Sequence, residues 1–407
     1  MGNAFLHGQG GGSGVKINSA TEMNVKLGEA VEKGDLLDMR FTYKKLPNPV
    51  VPFADSISEF AYIEYAGILY CLGTANNSSS CFNLYRYDDQ NEIFVRIPIS
   101  STDARWGGRP GLTVHNNEIY IAALKNGGTS AGIWKYNPNT SAFTYVAHIS
   151  SATNSSRPFK FFKHGNETLL YVSSNKIYGL DGISRGVLEG GYDNGCEKSI
   201  ASDGAQIYYS FQQNSSKSFS WIYNNTNLSS AGEPRSLLIL APLARCDVIF
   251  SRIDGDHLYL VGDGYERLFV RRSKTTESKT DLIGSGSFTT NSMQIYGGSS
   301  SSHAYCGEND DGLMCFESVH AAQFRVPEFD IKTYEYYDRD PLVECKVLGC
   351  AIMGGWHNNE FFYCYNWYDN NTCYKFSPVW VKAASDDAVA VATESGEANQ
   401  TIKILKF

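Results

Sequence analysis

From Glu64 onward one pattern recurs along the chain: a polar turn containing Gly, Asn or Asp, then two or three apolar residues among which Tyr is usual. It stands at Tyr65-Ala66-Gly67-Ile68-Leu69-Tyr70, His115-Asn116-Asn117-Glu118-Ile119-Tyr120, His164-Gly165-Asn166-Glu167-Thr168-Leu169-Leu170-Tyr171 and Asp203-Gly204-Ala205-Gln206-Ile207-Tyr208. It continues at Asp254-Gly255-Asp256-His257-Leu258-Tyr259, more weakly at Asp311-Gly312-Leu313-Met314, and at His357-Asn358-Asn359-Glu360-Phe361-Phe362. The closing residues of these occurrences lie 50, 51, 37, 51, 55 and 48 residues apart.

A second marker follows many of them: Asn83-Leu84-Tyr85-Arg86-Tyr87, Ile133-Trp134-Lys135-Tyr136, Trp221-Ile222-Tyr223, Leu268-Phe269-Val270 and Cys373-Tyr374-Lys375-Phe376. Two strands joined by a turn, the second ending in a tight polar turn such as Asn137-Pro138-Asn139-Thr140, are the middle of a four-stranded sheet. One twisted four-stranded sheet cannot cover both of its faces, so it must stack on neighbours, and radial closure leaves only short edges. The period near 50 therefore predicts an all-β fold, a single β-propeller of about seven four-stranded blades over residues 61–407. The 37-residue interval and the weak sixth repeat leave six or eight blades open. Ala388–Ala392 or Thr401–Leu405 is expected to complete the first blade.

The first residues differ. Gln9 to Gly14 is a glycine-rich tether, followed by the short alternating runs Val15-Lys16-Ile17 and Met23-Asn24-Val25-Lys26-Leu27. Glu29 to Met39 carries a Lys-Gly-Asp turn between apolar pairs and fits a hairpin. Residues 1–45 thus predict a small β attachment segment, and the Pro47, Pro49, Pro52 cluster marks a linker over 46–60. On this division, deleting 1–45 should leave a folded propeller that has lost its attachment.

Composition narrows the partners. The net charge of -8, with no long run among 35 Lys and Arg, excludes a phosphate-backbone partner as the expected one. No segment reaches the ~18 apolar residues of a membrane span, and no charged and then apolar leader precedes the chain, so neither membrane insertion nor export by that route is expected. Ten cysteines diluted over 407 residues read as buried structural thiols, although Cys71 with Cys81, Cys306 with Cys315, Cys345 with Cys350 and Cys364 with Cys373 leave disulfides or a metal open. No cofactor and no metal is expected.

The chain carries none of the Gly-x-Ser-x-Gly, His-Glu-x-x-His, phosphate-loop or EF-hand signatures, so catalysis is not the expected activity. Binding has candidates. Trp106 and Arg109 in Trp106-Gly107-Gly108-Arg109-Pro110, and Trp356 and His357 in Met353-Gly354-Gly355-Trp356-His357, set a Trp beside a Gly pair just before a repeat's turn. Trp367, Tyr368 and Asp369 lie in an aromatic and amide-rich loop. Flat aromatic faces with amide and carboxylate neighbours suit sugar rings, whose C–H faces stack and whose hydroxyls need partners. The alternative is that each Trp packs between blades.

The start Met1-Gly2-Asn3-Ala4-Phe5-Leu6-His7-Gly8, the Gly run, Val15-Lys16-Ile17-Asn18 and Val31-Glu32-Lys33-Gly34-Asp35-Leu36 resemble the N-termini of tail and other virion proteins from phages of Gram-positive bacteria. In period and turn pattern, with Gly297-Gly298 and Gly354-Gly355 as double-glycine matches, the remainder resembles kelch-like propellers. Together these resemblances imply a virion protein docked to other virion proteins through its N-terminal segment. Its propeller would face a host-surface glycan or protein, and a homo-oligomer is compatible with both. The rival expectations are an intracellular kelch-like adaptor and a virion-borne polysaccharide-degrading enzyme.

Overall fold

The computed structural model describes residues 21–46, 61–74, 82–98, 111–124, 131–149, 159–172, 176–187, 351–365, 372–385 and 388–406. Between 200 and 339 it describes strand segments and Gly204. The described residues are strands, turns and short connections, without a helix.

Two compact units are present, one of residues 1–40 with 378–407 and one of 41–377. This corrects the expected division: the last thirty residues belong with the N-terminal segment, not with the propeller. The cause is strand pairing. Thr21–Lys26 pairs antiparallel with Thr401–Lys406, and Leu36–Leu37 pairs with Ala390–Val391. Neither C-terminal strand therefore completes the first blade. Within the small unit Val25, Leu27, Val31, Leu37, Met39, Val379, Trp380, Ala390, Ala392, Ile402 and Ile404 are buried. The burial alternates along Thr401–Lys406, the period-two signature of a strand with one face inward.

The large unit holds six four-stranded antiparallel sheets in chain order. The first comprises Ala61–Tyr65, Ile68–Thr74, Phe82–Asp88 and Ile93–Ile97. The second comprises Gly111–His115, Glu118–Leu124, Ala131–Asn137 and Ala142–Ile149, and the third runs from Lys160–His164 to Ser184–Val187. The fourth, fifth and sixth start at Ile200–Ser202, Asp247–Asp254 and Tyr305–Glu308. A last sheet follows Ala351–His357, Glu360–Tyr365 and the strand from Thr372, and the neighbour on its outer side is the N-terminal strand Leu36–Lys45.

The recurring turns of the sequence join the first two strands of these sheets. Tyr65 opposes Ile68, His115 opposes Glu118, His164 opposes Glu167, Asp254 opposes His257 and His357 opposes Glu360, each across two residues. Such turns need left-handed backbone at one or both central positions to match the strand twist, and Gly165 supplies it alone after His164. Asn116 and Asn117 take φ of +48° and +61°, and Asn358 and Asn359 take +49° and +59°. Asn tolerates this conformation better than other side-chain-bearing residues, which is why it recurs here. Third and fourth strands are joined by Asx turns: Asp88 Oδ1 accepts from Gln90 N and Asn91 N, and Asn137 Oδ1 from Asn139 N and Thr140 N.

Sheets stack face to face. Ile119, Ile121 and Ala123 pack with Trp134 and Tyr136 against Tyr70, Leu72 and Leu84 of the first sheet. The intervening Ala122, with Ile133 and Ile149, packs against Leu170, Val172 and Tyr178 of the third. One strand thus feeds two cores by alternation, and both faces of the second sheet are covered. Their first strands lie side by side in chain order from the first sheet to the fifth, and that of the last sheet lies beside those of the sixth and of the first. This is the organisation of a β-propeller.

Candidate functional site

Each predicted binding residue sits on a definite part of this topology. Antiparallel order places the connection between sheets and the connection from second to third strand at one edge of a sheet, with the other two turns at the opposite edge. Trp106 and Arg109 belong to the connection leading into Gly111–His115, and Trp367, Tyr368 and Asp369 to the one between Glu360–Tyr365 and the strand from Thr372. These five residues lie outside the described residues, while the strand ends they join share an edge. Trp356 and His357 end a first strand and so stand at the other edge.

His357 is fully described, and it is 1% exposed. The turn that follows it carries Asn358 and Asn359 and returns the chain into Glu360. Its Nδ1 lies 2.9 Å from Glu64 Oε2, and its Nε2 lies 3.0 and 3.1 Å from the two Asp89 oxygens. Asn358 Nδ2 is 3.1 Å from the same Nε2 and donates to Asp89 Oδ1. Tyr87 meets the imidazole edge-on at 5.9 Å, Phe362 lies 6.0 Å from it, and these two rings pack on each other at 4.6 Å. A histidine that serves as a general base needs one nitrogen aimed at the substrate. Here both nitrogens are engaged, so His357 joins the last sheet to the first.

The same device recurs at the end of other first strands. His115 Nδ1 lies 3.0 Å from Thr168 Oγ1 of the next sheet, and His164 Nδ1 lies 2.7 Å from Ser202 Oγ of the one after. In all three repeats the Glu three positions later is held by a cation of its own sheet: Glu118 by Lys135 at 2.8 Å, Glu167 by Arg185 at 2.7 Å, and Glu360 by Lys375 at 2.9 Å. The signal was legible as His-x-x-Glu in three of the recurring turns, but its partners, far away in sequence, were not.

Around Lys375 the seam becomes an ion network. Lys375 also reaches Glu92 of the first sheet at 3.1 Å, Lys44 of the N-terminal strand bonds the same carboxylate, and Ser377 Oγ donates to Glu360 Oε1. Thr42 Oγ1 donates to Ser377 O, fastening the N-terminal strand in place. Bonds from Lys44 and Lys375 hold the Glu92 carboxyl below its ordinary range. Burial opposes the charge of Lys375, but its bonds to Glu360 and Glu92 outweigh it and leave the ammonium pKa raised.

Linkage fixes the sign. The Glu92 contribution is complete above the ordinary carboxylate pKa and is lost as pH falls through the lowered folded value. The Lys375 contribution is complete below the ordinary lysine pKa and is lost as pH rises through the raised one. A Lys375→Met variant should therefore melt below the parent at neutral pH, with the gap narrowing toward pH 3; a gap that stays constant across a melting series would remove the network from the account. Among the described residues, no group of three His, Cys, Asp or Glu is arranged to hold a metal ion.

No family model matches the chain, and neither does any curated protein. Among solved structures it is similar to a puromycin-hydrolysing peptidase of Mycobacterium tuberculosis at 10% identity and a TM-score of 0.54, over 91% of this chain and 57% of that one. A prolyl endopeptidase is similar at 9% identity and a TM-score of 0.49, over 91% and 50%. A chain of a nidogen/laminin complex is similar at 11% identity and a TM-score of 0.40, over 75% and 94%. At such identities, likeness speaks to fold alone.

Proposed function

We propose that the large unit is a seven-bladed β-propeller and that the protein is a non-enzymatic virion component binding a host-surface glycan or protein. Six four-stranded sheets, and a last one in which Leu36–Lys45 lies beside the strand from Thr372, support that number. The observation that carries the binding reading is the unequal length of the connections on the two edges. At one edge the hairpin turns are two residues long where Tyr65, His115, His164 and His357 end their strands. At the other, the connections from one sheet to the next span residues 98–110, 150–159, 188–199, 241–246, 285–304 and 340–350, all longer than two residues. Long connections on a rigid scaffold are where binding residues concentrate. Trp106, Arg109, Trp367, Tyr368 and Asp369 fall in the sequence of connections whose flanking strands end at this edge, and we assign them the ligand platform.

Attachment to other virion proteins is the task of the small unit and the residues before it. The resemblance of the N-terminal segment to phage virion proteins supports this, as does the inclusion of the chain's last residues in that unit. The test is a glycan array and a bacterial-cell binding assay with the full chain and with Trp367→Ala and Tyr368→Ala. Both substitutions are expected to abolish or strongly weaken binding with stability within ~0.5 kcal/mol of the parent, as surface changes do. Unchanged binding, or a melting temperature lowered as for a core Trp, would overturn the platform. Release of reducing sugar from a bound polysaccharide would replace adhesion with hydrolysis. Capture of an intracellular protein without any cell-surface binding would favour the adaptor.

A further inference from the structure

The backbone bonds that join the two turns of the small unit come in pairs 365 positions apart with their partners exchanged, whereas those of Gly28 with Trp380, Ala383 with Leu36 and Val389 with Leu37 stand outside this set. Leu27 N donates to Gln400 O at 2.9 Å, and Ala392 N donates to Asp35 O at 2.9 Å. Asn399 N donates to Leu27 O, and Gly34 N donates to Ala392 O, both at 2.9 Å. Val31 and Gly396 exchange N–H···O bonds of 2.8 and 3.0 Å, so the pair maps onto itself and marks the position of an axis.

The turns obey the same rule. Asp35 N donates to Glu32 O, and Gln400 N to Glu397 O, each at 3.0 Å. The side chain of the fourth residue accepts from the first N–H in both: Asp35 Oδ2 from Glu32 at 2.8 Å and Gln400 Oε1 from Glu397 at 2.9 Å. The third residue is left-handed in both, Gly34 at φ +96° and Asn399 at +68°. The strand pairings transform likewise, Lys26 with Thr401 becoming Val391 with Leu36, and Val25 with Ile402 becoming Ala390 with Leu37. Burial follows, since Leu27, Leu37 and Met39 match Ala392, Ile402 and Ile404, all interior. Sequence alone hides this: over 25–39 against 390–404 only Glu29 with Glu394 and Glu32 with Glu397 are identical.

We infer that the small unit is two copies of one β-element, residues 25–39 and 390–404, related by a two-fold axis, and that residues 41–377 are an insertion in the connection between the copies. The second copy pairs its own ends, Ala392 lying opposite Ile404 and Thr393 N donating to Lys403 O at 3.1 Å, but the turns of both copies bond across to the other. Each turn's left-handed residue donates to the opposite copy, so the copies assemble together or not at all, as one cooperative module. The docking role assigned above to this unit then belongs to the assembled pair rather than to the N-terminal segment, a step that rests on the attachment reading.

The test is hydrogen exchange of the full chain. Gly34→Val places a β-branched residue at a φ of +96°, and Asn399→Val places one at +68°. Either substitution should raise exchange at least tenfold over both 25–39 and 390–404, while Ile121 and Ile133 of the large unit keep their protection. Loss confined to the substituted copy would overturn the inference, and so would a large unit that opens in step. Because a valine at these sites can prevent the unit from forming at all, a milder variant is read beside it. Asn399→Gly gives the second turn the first turn's residue, and it should slow exchange in both copies together; a change in the second copy alone would overturn the pairing. Exchange reads the module without any partner, so a protein that passes and still fails to dock would refute attachment while leaving the duplication in place.

Discussion

Deleting residues 1–45 should unfold residues 378–406 and lower the melting temperature of what remains. The deleted segment carries Val25, Leu27, Val31, Leu37 and Met39, each at most 6% exposed. At about 1.5–3 kcal/mol for each buried apolar side chain, their loss is on the order of 10 kcal/mol. That is comparable with the whole stability of an ordinary domain, roughly 5–15 kcal/mol. Thr401–Lys406 would then lose Thr21–Lys26 and keep only Ala390–Ala392 as a neighbouring strand. In the large unit the last sheet loses the strand that carries Thr42 and Lys44, and with it the bonds to Ser377 and Glu92. Hydrogen exchange over 378–406 and a thermal melt read the two effects separately. Protection at Ile402 and Ile404 that survives the deletion would contradict the pairing described here. The sequence alone led to the opposite expectation, a propeller indifferent to its first 45 residues.

His357→Ala should destabilise the large unit by about 2–4 kcal/mol, at the lower end of the range for emptying a buried aromatic site. The carboxylates that face the ring, Glu64 and Asp89, are 42% and 53% exposed, so water screens most of the ionic part. The loss comes chiefly from the space left beside Tyr87 and Phe362, and from the lost bonds to Glu64 and Asp89 across the seam. His115→Ala and His164→Ala, whose partners are the neutral hydroxyls of Thr168 and Ser202, should each cost less, about 1 kcal/mol. Urea titrations of the three variants give the ranking. Equal costs, or a neutral His357→Ala, would make the histidines surface residues of the turns and nothing more.

The repeat was legible in the sequence because a two-residue turn between strands demands left-handed backbone, and Asn-Asn, Ala-Gly and Gly-Asn advertise it at regular intervals. The site was less legible. Glu64 and Asp89 stand 293 and 268 residues from the histidine they hold, and nothing local to them marks the partnership. Trp356 and Trp106 looked alike because both neighbour glycine pairs and both precede a turn. What separates them is strand direction, and direction enters only once the pairing of whole sheets is known. The division of the chain was misread for a related reason: a period of about 50 stops at the last repeat, and the thirty residues beyond it have no period of their own to declare a different allegiance.

The histidine clasps all point one way along the chain, from the second sheet to the third, from the third to the fourth, and from the last to the first. Each sheet therefore offers one kind of surface forward and the complementary kind backward, as subunits do in a head-to-tail assembly. Such contacts either close on themselves or continue without limit, depending only on whether the last unit can reach the first. In this chain the decision falls on a single junction, where His357 meets Glu64. A molecule in which that junction opens presents a donor surface at one end and its own acceptor at the other. At high concentration it joins its neighbours into linear polymers rather than simply unfolding, so polymerisation on storage is the failure expected of variants weakened at His357, and not of those weakened at His115.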